Sequence, residues 1–123
     1  MKKEILFSIG GLVAGMILMS LVAYKAAPSM MMKEAPSKYD FETSVAMFEQ
    51  TALDMGWKIP TVHDLQQTMH NFGKQVGQVK VFELCHPDHA YEILKLDDER
   101  IVSSMMPCRV SIYEKSDGKT YVS

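Results

Sequence analysis

The most constraining feature of the sequence is an uncharged apolar stretch near its N-terminus. The segment ILFSIGGLVAGMILMSLVAY, residues 5–24, follows the charged residues MKKE and contains no Asp, Glu, Lys or Arg. A helix needs roughly 20 apolar residues to cross the hydrocarbon layer of a bilayer. The stretch therefore predicts one transmembrane helix and leaves only the following residues to form a globular fold.

A cleaved signal peptide is the alternative interpretation of this stretch. The apolar region of a signal peptide is usually about 7 to 15 residues long and ends at an A-x-A-like site. The best candidate cut, after Ala23, has Leu21 at the third position back, which fits poorly. We therefore interpret residues 5–24 as an uncleaved anchor in the membrane.

The orientation of the anchor is less constrained than its insertion, because lysines lie on both sides of it. Lys2 and Lys3 precede the apolar stretch, and Lys25 and Lys33 follow it. The four residues before the anchor are few enough to remain in the cytoplasm while the much longer following part is exported. We expect residues 1–4 to form a short cytoplasmic head and the domain to lie on the extracytoplasmic, periplasmic side of the cell membrane, where thiols are readily oxidised.

Two glycines within the anchor are candidates for a helix–helix contact. Gly11 and Gly15 share one helix face, and small residues at this spacing let two membrane helices approach closely. Gly is also simply common in membrane helices, so both interpretations stay open. The first predicts a homodimer.

The remainder of the chain divides into a linker and one modest domain. Residues 25–38 contain two prolines, small residues and no apolar period, which predicts a linker. Residues 39–123 are long enough for a single globular domain. The net charge of -2 gives no broad positive field, so a role in binding nucleic acid is not expected.

Apolar periodicity predicts the elements of this domain. We expect a short strand over residues 39–42, a helix capped by Thr43 or Ser44 that ends at Gly56, a brief extended segment stopped by Pro60, a second helix over residues 61–73, an interior strand over residues 78–85, a third helix from Pro87 to Lys95, and strands over residues 100–106, 108–115 and 120–123. This order indicates an α+β fold with a small antiparallel-rich sheet and helices packed on one face, preceded by the transmembrane helix.

The two cysteines allow three interpretations. Side chains alternate across a strand, so Cys85 shares its side with Val79 and Val81, and Cys108 shares its side with Val110. Both thiols can therefore face an apolar interior. They can form a disulfide if their strands are neighbours, remain inert core thiols, or act as a pair of soft ligands.

A metal site needs a further ligand beside the thiols. His63 follows Pro60 and can approach them from the start of the second helix, and His86, His89 and Met106 are weaker candidates. The cysteine spacing matches no CxxC pair, so zinc is not favoured. Cys, His and Met ligands suit copper or a haem iron. His70 falls on the expected solvent face.

A thiol-dependent enzyme is a weaker alternative. Cys108 or Cys85 would act as the nucleophile, with His63 as base and Asp64 as its orienting carboxylate. A carboxylate next to a histidine at a helix start more often caps the helix. The chain is therefore more readily interpreted as a binding module than as an enzyme.

Three separated motifs resemble the domain-of-unknown-function 302 family. They are GWKIPTVHDL, VFELCHPDHAYEIL and MMPCRVSIYEKSDGKTYVS, which together cover most of residues 40–123. Carried over residue by residue, the resemblance highlights His63, Asp64, Cys85, Pro107, Cys108 and Arg109. It implies a small α+β fold that tends to pair as a dimer, and it implies no established reaction. Similar proteins continue into a C-terminal helix, which residues 39–123 are expected to lack.

The resulting hypothesis is a membrane-anchored extracytoplasmic binding or sensing module. In its sharper form the module binds a soft metal ion or haem through Cys85, Cys108 and His63. In the alternative form the cysteines are joined in a disulfide, and the domain is a structural or interaction module whose surface contacts another envelope protein.

Overall fold

The structure is a computed structural model that describes residues 2–123, with side chains described at positions 3, 7–27 and 32–123. Met1, the first residue of the expected cytoplasmic head, lies outside the described residues. The chain forms two compact units, one ending at Lys33 and the other spanning Glu34–Ser123. The second unit contains the sheet and all the candidate metal ligands.

The first unit contains a single long helix, α1, over Lys2–Met31. Its segment Phe7–Ala27 is long and apolar enough to cross a membrane, with a mean hydropathy of 1.9. Length and composition alone do not distinguish a membrane span from a signal sequence, which passes the same test. The helix continues over residues 25–31, in the part of the chain where the sequence predicted a linker.

The second unit is an α+β domain with a five-stranded antiparallel sheet, as predicted. Its elements are β1 Ala35–Pro36, α2 Phe41–Asp54, β2 Lys58–Asp64, α3 Leu65–Asn71, β3 Val79–Cys85, α4 Pro87–Leu94, a 3₁₀ helix Asp98–Met105, β4 Cys108–Glu114 and β5 Thr120–Val122. The strands are ordered β1-β5-β4-β3-β2. β3 is therefore an interior strand, as its apolar residues at both parities indicated.

The core lies between α2 and one face of the sheet. Phe82 on β3 and Ile112 on β4 are both fully buried, and they form one cluster with Phe41 and Val45 of α2. The Phe48 and Phe82 rings pack with their centroids 5.0 Å apart. Apolar positions at helical spacing on α2 therefore meet the alternate residues of the strands, which is the pattern that an amphipathic helix on a sheet requires.

The start of the first domain helix differs from the prediction. We expected a strand over residues 39–42 and a cap at Thr43 or Ser44, but α2 begins at Phe41 and Asp40 is its N-cap. The Asp40 carboxylate accepts a hydrogen bond of 2.8 Å from the Thr43 backbone N–H. The short strand lies earlier, where Ala35–Pro36 pairs with β5 inside the expected linker.

Two further local predictions were wrong. β2 runs through Pro60 to Asp64. It lies at the edge of the sheet, and its register is irregular between Lys58 and Thr61, so the missing N–H of Pro60 is tolerated there. The predicted strand over residues 100–106 is a 3₁₀ helix. Local contacts stabilise that helix, since Arg100 pairs with Asp97 at 2.8 Å, and β4 already has β3 and β5 as neighbours.

Phe82 offers a direct test of the core. Replacing Phe82 with Ala should lower the free energy of unfolding by about 3 to 5 kcal/mol, because the change leaves a cavity among fully packed side chains. The matched control is Phe72→Ala, since Phe72 is 75% exposed and should contribute little. Trp57 is the only tryptophan, so its fluorescence during urea denaturation of the full chain in detergent micelles reports on this domain. Equal midpoints for the two variants would contradict this core.

Candidate functional site

Both cysteines line one cavity at the end of the sheet. The cavity has a volume of about 120 Å³ and is lined by Trp57, Leu84, Cys85, His86, His89, Ala90, Ile93, Met106, Pro107 and Cys108. Four parts of the chain meet there: the end of β3, the first turns of α4, the segment before β4, and the residue that precedes β2. Apart from the thiols, the imidazoles and the thioether of Met106, the lining is apolar.

The pairing of β3 with β4 brings both cysteines to one end of the ladder. The two strands are antiparallel neighbours, and Leu84 is the register partner of Cys108. Cys85 is the next residue along β3, so the alternation of side chains directs it to the face opposite to that of Leu84 and Cys108, at the point where β3 ends. Both thiols are free; Cys85 is half-buried and Cys108 is exposed. The exposure of Cys108 differs from the expectation that both thiols face the interior.

Two histidines at the start of α4 complete the polar part of the cavity. His86 is the N-cap residue of α4 and is followed by Pro87 at the first helical position. The His86 ring lies 4.3 Å from the His89 ring and 5.5 Å from the Trp57 ring, centroid to centroid. One turn of helix separates the histidines, which explains why their rings meet.

The Nδ1 atom of His86 is buried and has no hydrogen-bond partner among the described residues. A buried polar atom without a partner costs free energy, so such an atom in a native structure calls for a ligand or a water molecule. The other ring nitrogen, Nε2, lies 3.3 Å from the position that a Cβ atom on Gly56 would occupy. Gly56 also has a φ of +85°, so this close approach and the turn both favour glycine.

The predicted ligands are only partly brought together. Cys85 and Cys108 meet at the cavity with the three weaker candidates, His86, His89 and Met106. Among the described residues, no three His, Cys, Asp or Glu side chains form a group that could hold a metal ion. The cavity therefore gathers soft ligand types without presenting a preformed set of three.

His63 lies elsewhere. It is in β2 as the partner of Val81, and its Nε2 atom donates to Glu83 Oε1 at 3.1 Å. Arg109 reaches the same carboxylate oxygen at 3.6 Å, so Arg109 and Glu83 share a face of the sheet. Cys108 precedes Arg109 in β4 and points to the opposite face. The sheet thus separates His63 from Cys108, which the sequence alone did not indicate.

The comparisons with known proteins identify the domain. The family model described as Domain of unknown function DUF302 matches residues 33–123. The chain belongs to the DUF302 family. Among solved structures, it is similar to the uncharacterized conserved protein DUF302 from Bacillus stearothermophilus, with a TM-score of 0.66 and 16% identity over 72% of this chain and 68% of that chain. No curated protein matches the chain.

The motif residues of the DUF302 domain fall into two groups in space. Cys85, Pro107 and Cys108 line the cavity. His63 and Arg109 instead converge on the carboxylate of Glu83. The Asp64 carboxylate accepts a hydrogen bond from the Gln67 backbone N–H at 2.8 Å and is the N-cap of α3, which is the capping role weighed against a catalytic one.

Sequence reasoning missed two residues of these groups. Trp57 contributes a ring to the cavity, and Glu83 connects His63 with Arg109. A single tryptophan before a strand and the one acidic residue of a mostly apolar strand were the available signals. Neither signal identifies a neighbour, because that information lies in the pairing of β2, β3 and β4.

The carboxylate of Glu83 gives the DUF302 domain a testable pH dependence. Its pKa is lowered from the ordinary value, chiefly because His63 donates a hydrogen bond to it, with smaller contributions from the charges of His63 and Arg109. A carboxyl group whose pKa is lower in the folded state stabilises the fold above its unfolded pKa, about 4.3. This stabilisation is lost as the pH falls through the folded-state pKa.

Replacing Glu83 with Gln should therefore lower stability at neutral pH and flatten its loss in acid, because the variant has no carboxylate to protonate there. The measurement is the urea midpoint of the full chain at a series of pH values from neutral to strongly acidic. Glu99→Gln is the matched control, since Glu99 is an exposed carboxylate of the 3₁₀ helix. Parallel acid profiles for Glu83→Gln and the unaltered chain would rule out this role for Glu83.

Proposed function

We propose that the chain is a membrane-anchored module whose DUF302 domain lies on the extracytoplasmic side and binds a soft metal ion. Cys85 and Cys108 supply the thiolates, and His86, His89 and Met106 supply the nearby nitrogen and sulfur atoms. The metal is Cu(I), because thiolate and thioether ligands favour soft ions. The binding module senses or holds the ion; no reaction is assigned to it.

One observation carries the proposal: five side chains with soft or imidazole ligand atoms line a single small cavity. The buried, unpartnered Nδ1 atom of His86 belongs to the same lining and provides a nitrogen that a ligand would satisfy. Since the described residues present no preformed group of three such ligands, the proposal requires the two thiols and an imidazole to move together when the ion binds.

The volume of the cavity favours an ion over haem. Pockets for small molecules usually measure about 300 to 1,000 Å³. This cavity has about 120 Å³, which suits an ion and its immediate ligands better than a macrocycle. Binding displaces the thiol protons, so the affinity should rise with pH.

Substitution of the ligands tests the metal proposal. Cys85→Ser and Cys108→Ser should each abolish binding of one Cu(I) per chain, because either change removes a thiolate. His86→Ala and His89→Ala should weaken binding by about tenfold, equivalent to about 1.4 kcal/mol. The measurement is competition with a chromogenic Cu(I) chelator, using the reduced full chain in detergent micelles without oxygen.

Two histidines serve as matched controls for this experiment. His63 lies on β2 beside Glu83, and His70 lies on α3, so neither lines the cavity. Their Ala variants should bind Cu(I) like the unaltered chain. Binding that survives in both Ser variants, or no binding by the reduced chain, would refute the proposal.

A disulfide between Cys85 and Cys108 is the second candidate. It is supported by the place of both cysteines at one end of the β3–β4 ladder, where they line one cavity, and by the extracytoplasmic side proposed for the domain. The domain would then be a structural or interaction module that contacts another envelope protein. Intact-mass measurement of chain isolated from its membrane distinguishes the two, because the disulfide removes two hydrogens and leaves no thiolate for the ion.

The proposed module pairs as a homodimer through its anchor. Gly11 and Gly15 lie on α1, and a Cβ atom added at either position would meet no described atom within 4 Å beyond its chain neighbours and the nearby backbone of its own helix. The backbone at these glycines is therefore open to the close approach of a second helix.

Replacing Gly11 and Gly15 together with Ile should weaken self-association severalfold, because the branched side chains hold two backbones apart. Energy transfer between labelled full chains in lipid vesicles measures this. Leu12→Ile with Met16→Ile is the control, since it places the same side chains at the same spacing on another face. If both pairs of substitutions have equal effects, the glycines have no special part in pairing.

A further inference from the structure

We propose that the His86 side chain rests in a seat against the turn between α2 and β2, and that a soft ion binds by drawing the imidazole out of this seat. Gly56, Trp57 and His89 form the His86 seat. The inference rests on the proposed metal site and adds how that site is regulated, because the affinity for the ion then depends on how firmly the seat holds the ring.

Three neighbours hold the His86 ring in its seat. The His89 ring lies 4.3 Å away at an angle of 32°, and the Trp57 ring lies 5.5 Å away at 85°, centroid to centroid. A Cβ atom on Gly56 would lie 3.3 Å from His86 Nε2 and 4.0 Å from its Cδ2 atom. The imidazole therefore packs directly against the backbone of Gly56, where a larger residue would have to displace it.

The backbone behind the seat is held in place by α2. The Gly56 N–H donates to the Leu53 carbonyl at 3.0 Å, and the Trp57 N–H donates to the Ala52 carbonyl at 3.0 Å. Ala52 is buried, so this end of α2 is packed against the domain. A clash at Gly56 would therefore move the imidazole more readily than the turn.

The Nδ1 atom of His86 is unsatisfied while the ring is in the seat. In an imidazole ring, Nδ1 is the atom opposite to the bond between Nε2 and Cδ2, and the two atoms of that bond are the ones nearest to Gly56. Nδ1 thus lies on the side of the ring away from Gly56, and it is buried with no hydrogen-bond partner among the described residues. A movement that gives this nitrogen a ligand would remove an energetic cost of the seat.

A soft ion requires the ring to leave the seat. Cys85 and Cys108 line the same cavity as His86, yet the described residues contain no group of three His, Cys, Asp or Glu side chains that could hold a metal ion. The His86 backbone is fixed, because its carbonyl accepts the Ala90 N–H at 2.9 Å in the first turn of α4. Rotation about the side-chain bonds of His86 is therefore the movement that brings the imidazole to the thiols.

The firmness of the seat sets the apparent affinity for the ion. An apparent affinity equals the intrinsic affinity multiplied by the fraction of molecules that are competent to bind. A change that weakens the seat and leaves the thiols intact should therefore tighten binding. This effect is opposite in sign to the loss of a metal ligand, such as His86→Ala.

Gly56→Ala tests the seat. The added Cβ atom clashes with the ring only while the ring is in the seat, so the affinity for Cu(I) should rise about five- to tenfold, the lower range of what overpacking usually costs. Gly73→Ala is the matched control, since Gly73 also has a positive φ, +72°, but a Cβ atom there would meet no described atom within 4 Å beyond its chain neighbours. It carries similar backbone strain and should leave the affinity unchanged. Competition with a chromogenic Cu(I) chelator, using the reduced full chain in detergent micelles without oxygen, measures both variants.

Two further measurements separate the seat from a general effect on the fold. In the His86→Ala background, Gly56→Ala should no longer change the affinity for Cu(I), because no ring remains to be displaced. In the unaltered full chain, nuclear Overhauser spectroscopy should show a contact between the Gly56 Hα and His86 ring protons without the ion. This contact should disappear when one equivalent of Cu(I) is bound, a result that does not depend on the stability of any variant.

Each contrary result has a separate meaning. Absence of Cu(I) binding by the reduced, unaltered chain would overturn the metal proposal and this inference with it. Cu(I) binding with the contact between Gly56 and His86 retained would overturn the seat alone and leave the metal site standing. Equal or weaker binding by Gly56→Ala than by Gly73→Ala would do the same, as would a Gly56→Ala effect that persists without the His86 ring.

Discussion

The antiparallel pairing of β3 with β4 is the constraint on which the rest of the domain depends. Its register places Leu84 opposite Cys108 and thereby brings the two cysteines to one end of the ladder. The same register sends Phe82 into the core while Glu83 meets Arg109 on the other face. Because side chains alternate, a slip by one residue would exchange these faces and bury the carboxylate. The hydrophobic core thus also fixes the geometry of the candidate site.

The sequence was sufficient to predict the class of fold but not the composition of the site. Apolar periodicity identified the interior strand, the α2 helix and the Pro87-led helix, since these depend on residues close together along the chain. The sequence could not show that His86, and not His63, lies near the cysteines. That distinction depends on the register of the strands and on the continuation of β2 through Pro60, which places His63 in the sheet. The 3₁₀ helix was missed because its local side-chain contacts have no apolar signature.

The cavity that both cysteines line has mostly apolar walls. Leu84, Ile93 and Pro107 surround the candidate ligand atoms there. An apolar shell limits the access of solvent to a metal site. A soft cation bound in this cavity would therefore be shielded from water, and it could also satisfy His86 Nδ1, which has no hydrogen-bond partner among the described residues.

An ionic contact of Glu34 holds the first residues of the domain against the sheet. The Glu34 carboxylate accepts hydrogen bonds from the Tyr113 hydroxyl and, at 2.7 Å, from Lys115 Nζ. These contacts lower the pKa of Glu34 and raise that of Lys115, so both groups are charged at neutral pH. Directly after Glu34, β1 pairs with β5 and covers the edge of the sheet, and Pro36 in this outer strand lacks an N–H that could pair with another chain. The residues that immediately follow the unit of helix α1 therefore complete the sheet.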